Sequence, residues 1–196
     1  MKIFRIAVVG AECTGKSQLC EQLAACVPGI TFEEPLRRWV RELGVAPSAH
    51  EQEQLVQWQQ QAEANACKQA RDQGWRAVLC DSAPLVTAVY SDLYYQDRSL
   101  YALAYQHHLS YDLTLWCQPD IPWQADPGMR DGETYRQQTH QLLSKALAQH
   151  QLHRSEKTGS EAASTEVIAV IGMGQDRWQT AWQAIQHRLL QGLHVG

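Results

Sequence analysis

The sequence lacks a paired-cysteine motif, a long apolar run and an excess of positive charge, and each absence closes off a class of function. Its six cysteines (Cys13, Cys20, Cys26, Cys67, Cys80 and Cys117) are scattered with no C-x-x-C spacing, which argues for reduced thiols over a disulfide framework or a thiolate metal site. Lys and Arg number 17 against 21 Asp and Glu, a net charge of −4. The broad positive field of a non-specific nucleic-acid binder is therefore missing, and any anion site is local. No stretch reaches the ~20 apolar residues of a membrane span. The apolar run Ile3 to Val9 is short and leads into a glycine-rich turn, so it reads as a strand and not as an export signal. Neither nucleic acid nor membrane is an expected partner, and the cytoplasm is the expected compartment. No internal repeat is present.

What is there is the composition of a folded domain. Hydrophobic residues make up 44% and charged residues 19% of 196 positions, enough for one core, so residues 1–196 are expected to form a single domain. Strand-like and helix-like patterns alternate along the chain, the signature of an α/β domain on a mostly parallel sheet. Strands are expected at Ile3 to Val9, Gly29 to Glu33, Ala77 to Asp81, Leu113 to Cys117 and Glu166 to Ile171. Helices are expected at Ser17 to Cys26, Leu36 to Leu43, from the Ser48/Glu51 capping box to Gly74, Leu85 to His108, Glu133 to about Leu152, and over the stripe Trp178, Ala181, Trp182, Ile185 and Leu189. Leu55, Trp58, Ala62, Ala66 and Ala70 trace the apolar face of the long glutamine-rich helix. The polar segment 153–165 has no apolar anchors and reads as a mobile surface loop.

Gly10-Ala11-Glu12-Cys13-Thr14-Gly15-Lys16-Ser17 fits G-x-x-x-x-G-K-[ST], between a strand and a helix as that motif requires. Successive backbone N–H groups of such a loop wrap a phosphate chain, and the helix N-terminus adds partial positive charge. Gly10, Glu12, Cys13, Thr14, Gly15, Lys16, Ser17 and the adjoining Gln18 are thus the candidate ATP-binding residues. Lys16 is placed to reach the β- and γ-phosphates, and the Ser17 hydroxyl to ligate Mg²⁺. Asp81 ends an apolar strand, where an acid can orient Mg²⁺ or cap the following helix. Glu33-Glu34 closes the second strand, where a carboxylate could take the proton of a substrate hydroxyl or simply be solvated. Arg130 and Arg136 lie in and beside a Pro/Gly-rich segment, 119–136, that reads as a lid whose arginines neutralise charge during phosphoryl transfer. The turn Ile171-Gly172-Met173-Gly174 leads into Arg177, which could cover the nucleotide base. Trp39, Trp58, Tyr90, Tyr94, Tyr95 and Trp123 are candidate stacking partners for a flat ring.

Taken together, Gly10 to Ser17, E-P-L-R at Glu34 to Arg37, V-L-C-D-S at Val78 to Ser82 with Thr87, P-W-Q-A-D-P-G-M-R-D at Pro122 to Asp131 with Arg136, and G-M-G-Q-D-R at Gly172 to Arg177 resemble the NadR-type AAA-domain P-loop family. That family includes the ribosylnicotinamide kinase domain of the bifunctional bacterial NAD-synthesis regulator. The resemblance covers nearly the whole chain. It implies a P-loop, nucleoside- or nucleotide-kinase-like, three-layer α/β/α fold with a five-stranded parallel sheet of order 2-3-1-4-5. It implies ATP- and Mg²⁺-dependent phosphorylation of the ribose 5′-hydroxyl of nicotinamide riboside. Glu34 and Arg37 would line the substrate pocket, Asp81 would lie near Mg²⁺ and the acceptor, and Arg130 and Arg136 would belong to the lid. Where the family often has D-T-D, this chain has Asp81-Ser82-Ala83 and so lacks the second acid. No adenylyltransferase or DNA-binding part is expected ahead of the first strand, and a regulator's role is not expected.

The expected function is accordingly that of a small-molecule kinase with a nucleoside-like acceptor. Lys16, Asp81, Glu34, Arg130 and Arg136 are its candidate catalytic residues, Glu34, Arg37 and Asp81 bind substrate, and Ser17 and Asp81 hold the metal. A kinase for another nucleoside or metabolite shares the same phosphate machinery. An ATP- or GTP-dependent switch is the rival from another class, although no guanine-specific N-K-x-D stretch occurs.

Overall fold

The computed structural model describes residues 2–27, 29–32, 34–124, 132–158 and 166–193. Its frame is a sheet of five strands, β1 (Phe4–Val9), β2 (Gly29–Phe32), β3 (Ala77–Asp81), β4 (Leu113–Cys117) and β5 (Glu166–Val170). All paired neighbours run parallel, in the order β2-β3-β1-β4-β5. The helices are α1 (Lys16–Ala24), α2 (Pro35–Leu43), α3 (Gln52–Asp72), α4 (Pro84–Tyr95), α5 (Tyr101–His108), α6 (Glu133–Thr158) and α7 (Gln175–Leu193).

The central strands are buried on both faces because successive side chains point to opposite sides of the sheet. Along β1, Ile6 and Val8 pack with Leu19 and Leu23 of α1 and Ala181 and Ile185 of α7. Ala7 and Val9 face the other way, toward Val56 and Ala66 of α3, Val86 and Val89 of α4, and Leu143 of α6. Along β3, Ala77 and Leu79 join the first group while Val78 and Cys80 join the second. The result is a helix layer on each face of the sheet. All six cysteines are free.

Two helical readings require correction. The single helix expected from Leu85 to His108 is two, α4 and α5. Gln96 ends α4 in the left-handed region (φ 56°), and the Asp97 carboxylate accepts the Ser99 N–H at 2.9 Å. This short-range bond competes with the helical ladder at the break. The mobile loop expected from His153 is instead helical up to Thr158; Arg154, Glu156 and Lys157 are good helix formers even without an apolar stripe. Residues 159–165 lie outside the described residues. The capping box is present, with Ser48 and Glu51 bonded reciprocally ahead of α3. The buried face of α3, however, includes Gln59 and Glu63 as well as Leu55, Ala66 and Ala70.

Glu63 is fully buried, and its carboxylate is saturated. Oε1 accepts from Tyr111 Oη (2.7 Å) and Gln59 Nε2 (3.2 Å), while Oε2 takes the Arg5 guanidinium and bonds His107 Nε2 (2.8 Å). Pairing of this kind is what makes a buried charge tolerable.

Candidate active site

The strand registers bring separate motifs to one edge. Val8 of β1 sits opposite Asp81 of β3, Phe32 of β2 opposite Cys80, Val9 opposite Trp116 of β4, and Cys117 opposite Val170 of β5. The segments that follow these strands, including Gly10–Ser17, Glu34–Arg37, Gln118–Asp120 and Ile171–Gly174, therefore emerge together at the carboxyl edge of the sheet. In open α/β sheets this is where ligands bind.

Gly10–Ser17 forms a tight loop between β1 and α1. A Cβ on Gly10 would lie 2.7 Å from Thr14 Oγ1 and 2.8 Å from the Cys117 carbonyl, so the loop closes only because that position has no side chain. Gly15 precedes α1 in the left-handed conformation (φ 75°) that glycine adopts without penalty. Thr14 Oγ1 donates to the Ala11 carbonyl at 2.8 Å, and Lys16 Nζ donates to the same carbonyl at 2.9 Å. Cys13 lies in the left-handed region (φ 51°), and its Sγ touches the 122–124 segment, 3.6 Å from the Pro122 carbonyl and 3.2 Å from the Gln124 N–H that donates to it. A cleft of about 370 Å³ opens over the loop, with Cys13 to Gln18 on its floor, Arg37 and Ile121 to one side, and Met173, Gly174 and Arg177 on its rim. Ser17 is half-buried and Gln18 exposed at its floor.

Next to Lys16 lie two buried carboxylates. Glu34 precedes α2 and Asp81 ends β3; they are 8% and 6% exposed. Burial pushes the Glu34 carboxyl above its ordinary range and Asp81 adds to this, while Lys16, Arg37 and a hydrogen bond with Ser82 pull the other way. Arg37 Nε lies 3.4 Å from Glu34 Oε2. Asp81 Oδ1 is buried and has no hydrogen-bond partner among the described residues. Tyr90 of α4 closes this end of the site; burial, then Glu12, then Glu34, raises its phenol well above the ordinary value. Tyr94 joins it at 6.0 Å and stacks on Tyr135 at 5.5 Å. Among the candidate aromatics, Tyr90 thus lies near Glu34, with Tyr94 beside it. Trp39 is buried against Trp58, Tyr95 donates to the Pro47 carbonyl, and Trp123 lies under Arg136.

The arginines divide. Arg136, at the start of α6, is 4% exposed and donates to the carbonyls of Pro119 and Ile121 (2.9 Å to the latter); its Nε and Nη1 are buried without partners among the described residues. Arg177 lines the cleft, and the edge of its guanidinium is engaged in hydrogen bonds. It donates to the carbonyls of Thr14 (2.7 Å), Gly172 (2.9 Å) and Gln118 (3.1 Å) and pairs with Asp120. Asp120 was not evident from the sequence as a site residue. Its signal was the one that marked Asp81, an acid just past a strand end. Arg130 and Glu33 lie outside the described residues, as does the 125–131 part of the expected lid.

The carboxylate Asp81 and the hydroxyl Ser17 are hard oxygen donors of the kind Mg²⁺ takes alongside phosphate oxygens, and the unpartnered Asp81 Oδ1 fits such a role.

The model of the AAA domain family matches residues 5–162. A search of curated proteins gave no match. Among solved structures, NadR protein in complex with NAD and AMP-PNP superposes with a TM-score of 0.71 at 20% identity, over 95% of this chain and 49% of that one. NadR protein in complex with NR gives 0.72 at 20% identity over the same shares. Deoxyadenosine kinase from M. mycoides, with products dCMP and dCDP bound, gives 0.57 at 12% identity over 96% of this chain and 100% of that one. The chain spans about half the length of the NadR chains it matches. With a phosphate loop, a strand-end acid and a parallel sheet placed as described, this chain belongs to the AAA domain family.

Proposed function

We propose that this chain is an ATP-dependent kinase that phosphorylates the ribose 5′-hydroxyl of nicotinamide riboside, with residues 1–196 acting as one kinase domain. The observation that carries the reading is the meeting of Lys16 at the start of α1, Glu34 after β2 and Asp81 at the end of β3, beside the glycine-rich loop and with Tyr90 near Glu34. The NadR structures, whose ligands are NR, NAD and AMP-PNP, support the choice of acceptor and donor.

In this reading the N–H groups of the loop and Lys16 hold the β- and γ-phosphates. Ser17 and Asp81 hold Mg²⁺, which when bound neutralises phosphate charge. Glu34, raised toward neutrality by burial, is suited to accept the proton of the acceptor hydroxyl. The oxygen so released bonds to the γ-phosphorus as the bond from that phosphorus to the β–γ bridging oxygen breaks, and ADP leaves. Arg136 has two nitrogens, Nε and Nη1, without partners among the described residues, whose N–H groups can be directed at the charge that spreads over the equatorial oxygens. Arg37, beside Glu34, anchors the acceptor end. Tyr90 and Tyr94 offer ring faces to a flat, positively charged base, and the carboxylates Glu12 and Glu34 near Tyr90 favour the positive charge.

Release of ADP measured against a panel of nucleosides and vitamins tests this. Turnover that depends on nicotinamide riboside is the expected result; hydrolysis of ATP that no acceptor stimulates would overturn the kinase reading in favour of a switch.

A further inference from the structure

Arg177 and Asp120 are more completely engaged than a surface ion pair needs to be. Arg177 is 5% exposed, and its fork reaches three backbone carbonyls on three different segments: Thr14 of the phosphate loop, Gln118 after β4, and Gly172 after β5. Asp120 completes the arrangement from the fourth side, pairing with Arg177 through Oδ1 and accepting the Gly172 N–H through Oδ2 at 2.6 Å. Both backbone polar groups of Gly172 are therefore held by side chains, one by each member of the pair. Gly172 begins the turn whose next residues, Met173 and Gly174, form the rim of the cleft above the phosphate loop. A planar guanidinium can span such divergent acceptors where an ammonium cannot.

We infer that Arg177 and Asp120 are a positioning pair that sets the height of the 172–174 rim over the phosphate loop and so fixes where the base of the nucleotide rests. The inference builds on ATP being the ligand of the loop. The two members act differently. Among the described residues the Asp120 carboxylate bonds the Gly172 N–H and Arg177, and so acts on the rim. Arg177 also holds Thr14 and controls rim and loop together. Neither residue touches the nucleotide through this role; both act through backbone that does.

The test compares ATP with inorganic tripolyphosphate, which has the phosphates and no base, by calorimetry on wild type, Asp120→Asn and Arg177→Lys. In Asp120→Asn one amide group must face either Arg177 or the Gly172 N–H, donor against donor, so one bond is lost. The dissociation constant for ATP is expected to rise about tenfold while that for tripolyphosphate stays within about twofold. Retained tripolyphosphate binding also shows in the same titration that the variant is folded. Arg177→Lys is expected to weaken both ligands. Equal weakening of ATP and tripolyphosphate in Asp120→Asn, or unchanged ATP affinity in either variant, would overturn the pair's role while leaving ATP binding in place. A wild-type protein that binds neither ligand would instead overturn the kinase reading, and this inference with it.

Discussion

Lys16 and Glu34 carry the sharpest residue-scale consequences. Lys16 Nζ reaches only the loop carbonyl of Ala11 within hydrogen-bond range among the described residues, so its removal breaks no distant contact. Lys16→Ala is expected to lower kcat/KM by about 100-fold or more while the thermal transition stays cooperative; steady-state kinetics and circular dichroism check both halves. For Glu34 the sign follows from the raised carboxyl. Below the ordinary carboxylate range the group is protonated folded or unfolded, and burial costs nothing. As pH rises through the window between the ordinary and the raised value, the unfolded chain loses its proton first, and stability falls. Above that window the full cost of a buried carboxylate remains. Glu34→Gln is therefore expected to raise Tm at neutral pH, with the gain vanishing below the ordinary carboxylate range. Its kcat/KM should fall, and the acid limb of the pH profile should disappear with it.

At the scale of the element, the phosphate loop and α3 show how local and distant determinants differ. The loop depends on close approach: Gly10→Ala would press a methyl onto Thr14 Oγ1 and the Cys117 carbonyl. It is expected to cost about 1–3 kcal/mol by urea denaturation and to abolish ATP binding. α3 depends on one carboxylate. Glu63→Ala would remove the carboxylate that accepts from Arg5 and Tyr111, and a loss of about 3 kcal/mol or more is expected from the same measurement. The loop was legible from eight consecutive residues, whereas Glu63 was not. Helical spacing put Leu55, Ala66 and Ala70 on one face of α3, but a glutamate on the flank of that face reads as solvated until Arg5, His107 and Tyr111, from three other segments, are seen around it. The break at Gln96 escaped for the opposite reason: the apolar pattern continues across it, and a single left-handed residue with an aspartate turn interrupts the ladder.

For the molecule as a whole, the site is a product of topology. Adjacent parallel strands must end at one edge, and β1 in the middle of the sheet carries its loop into the space flanked by β3 and β4. A ligand gripped there is held by segments from both halves of the chain, so binding should stabilise the entire fold. Mg·ATP at about 100 times its dissociation constant is expected to add about 2.7 kcal/mol to unfolding and to raise Tm, read by differential scanning fluorimetry. The described helices include none long and apolar enough to cross a membrane.

The sequence by itself determined the phosphate loop, the strand-end acids and the alternation of strands and helices, because each is written in neighbouring residues whose backbone preferences and periodicity act at short range. Only the tertiary structure decided how these parts meet. It brought Glu34 and Asp81 beside Lys16, joined Arg177 at the cleft to the Thr14 carbonyl 163 positions earlier, and buried Glu63 among Arg5, Gln59, His107 and Tyr111. The physical reason is that burial and strand register, which set charge and partner alike, are properties of the packed sheet and of no single segment.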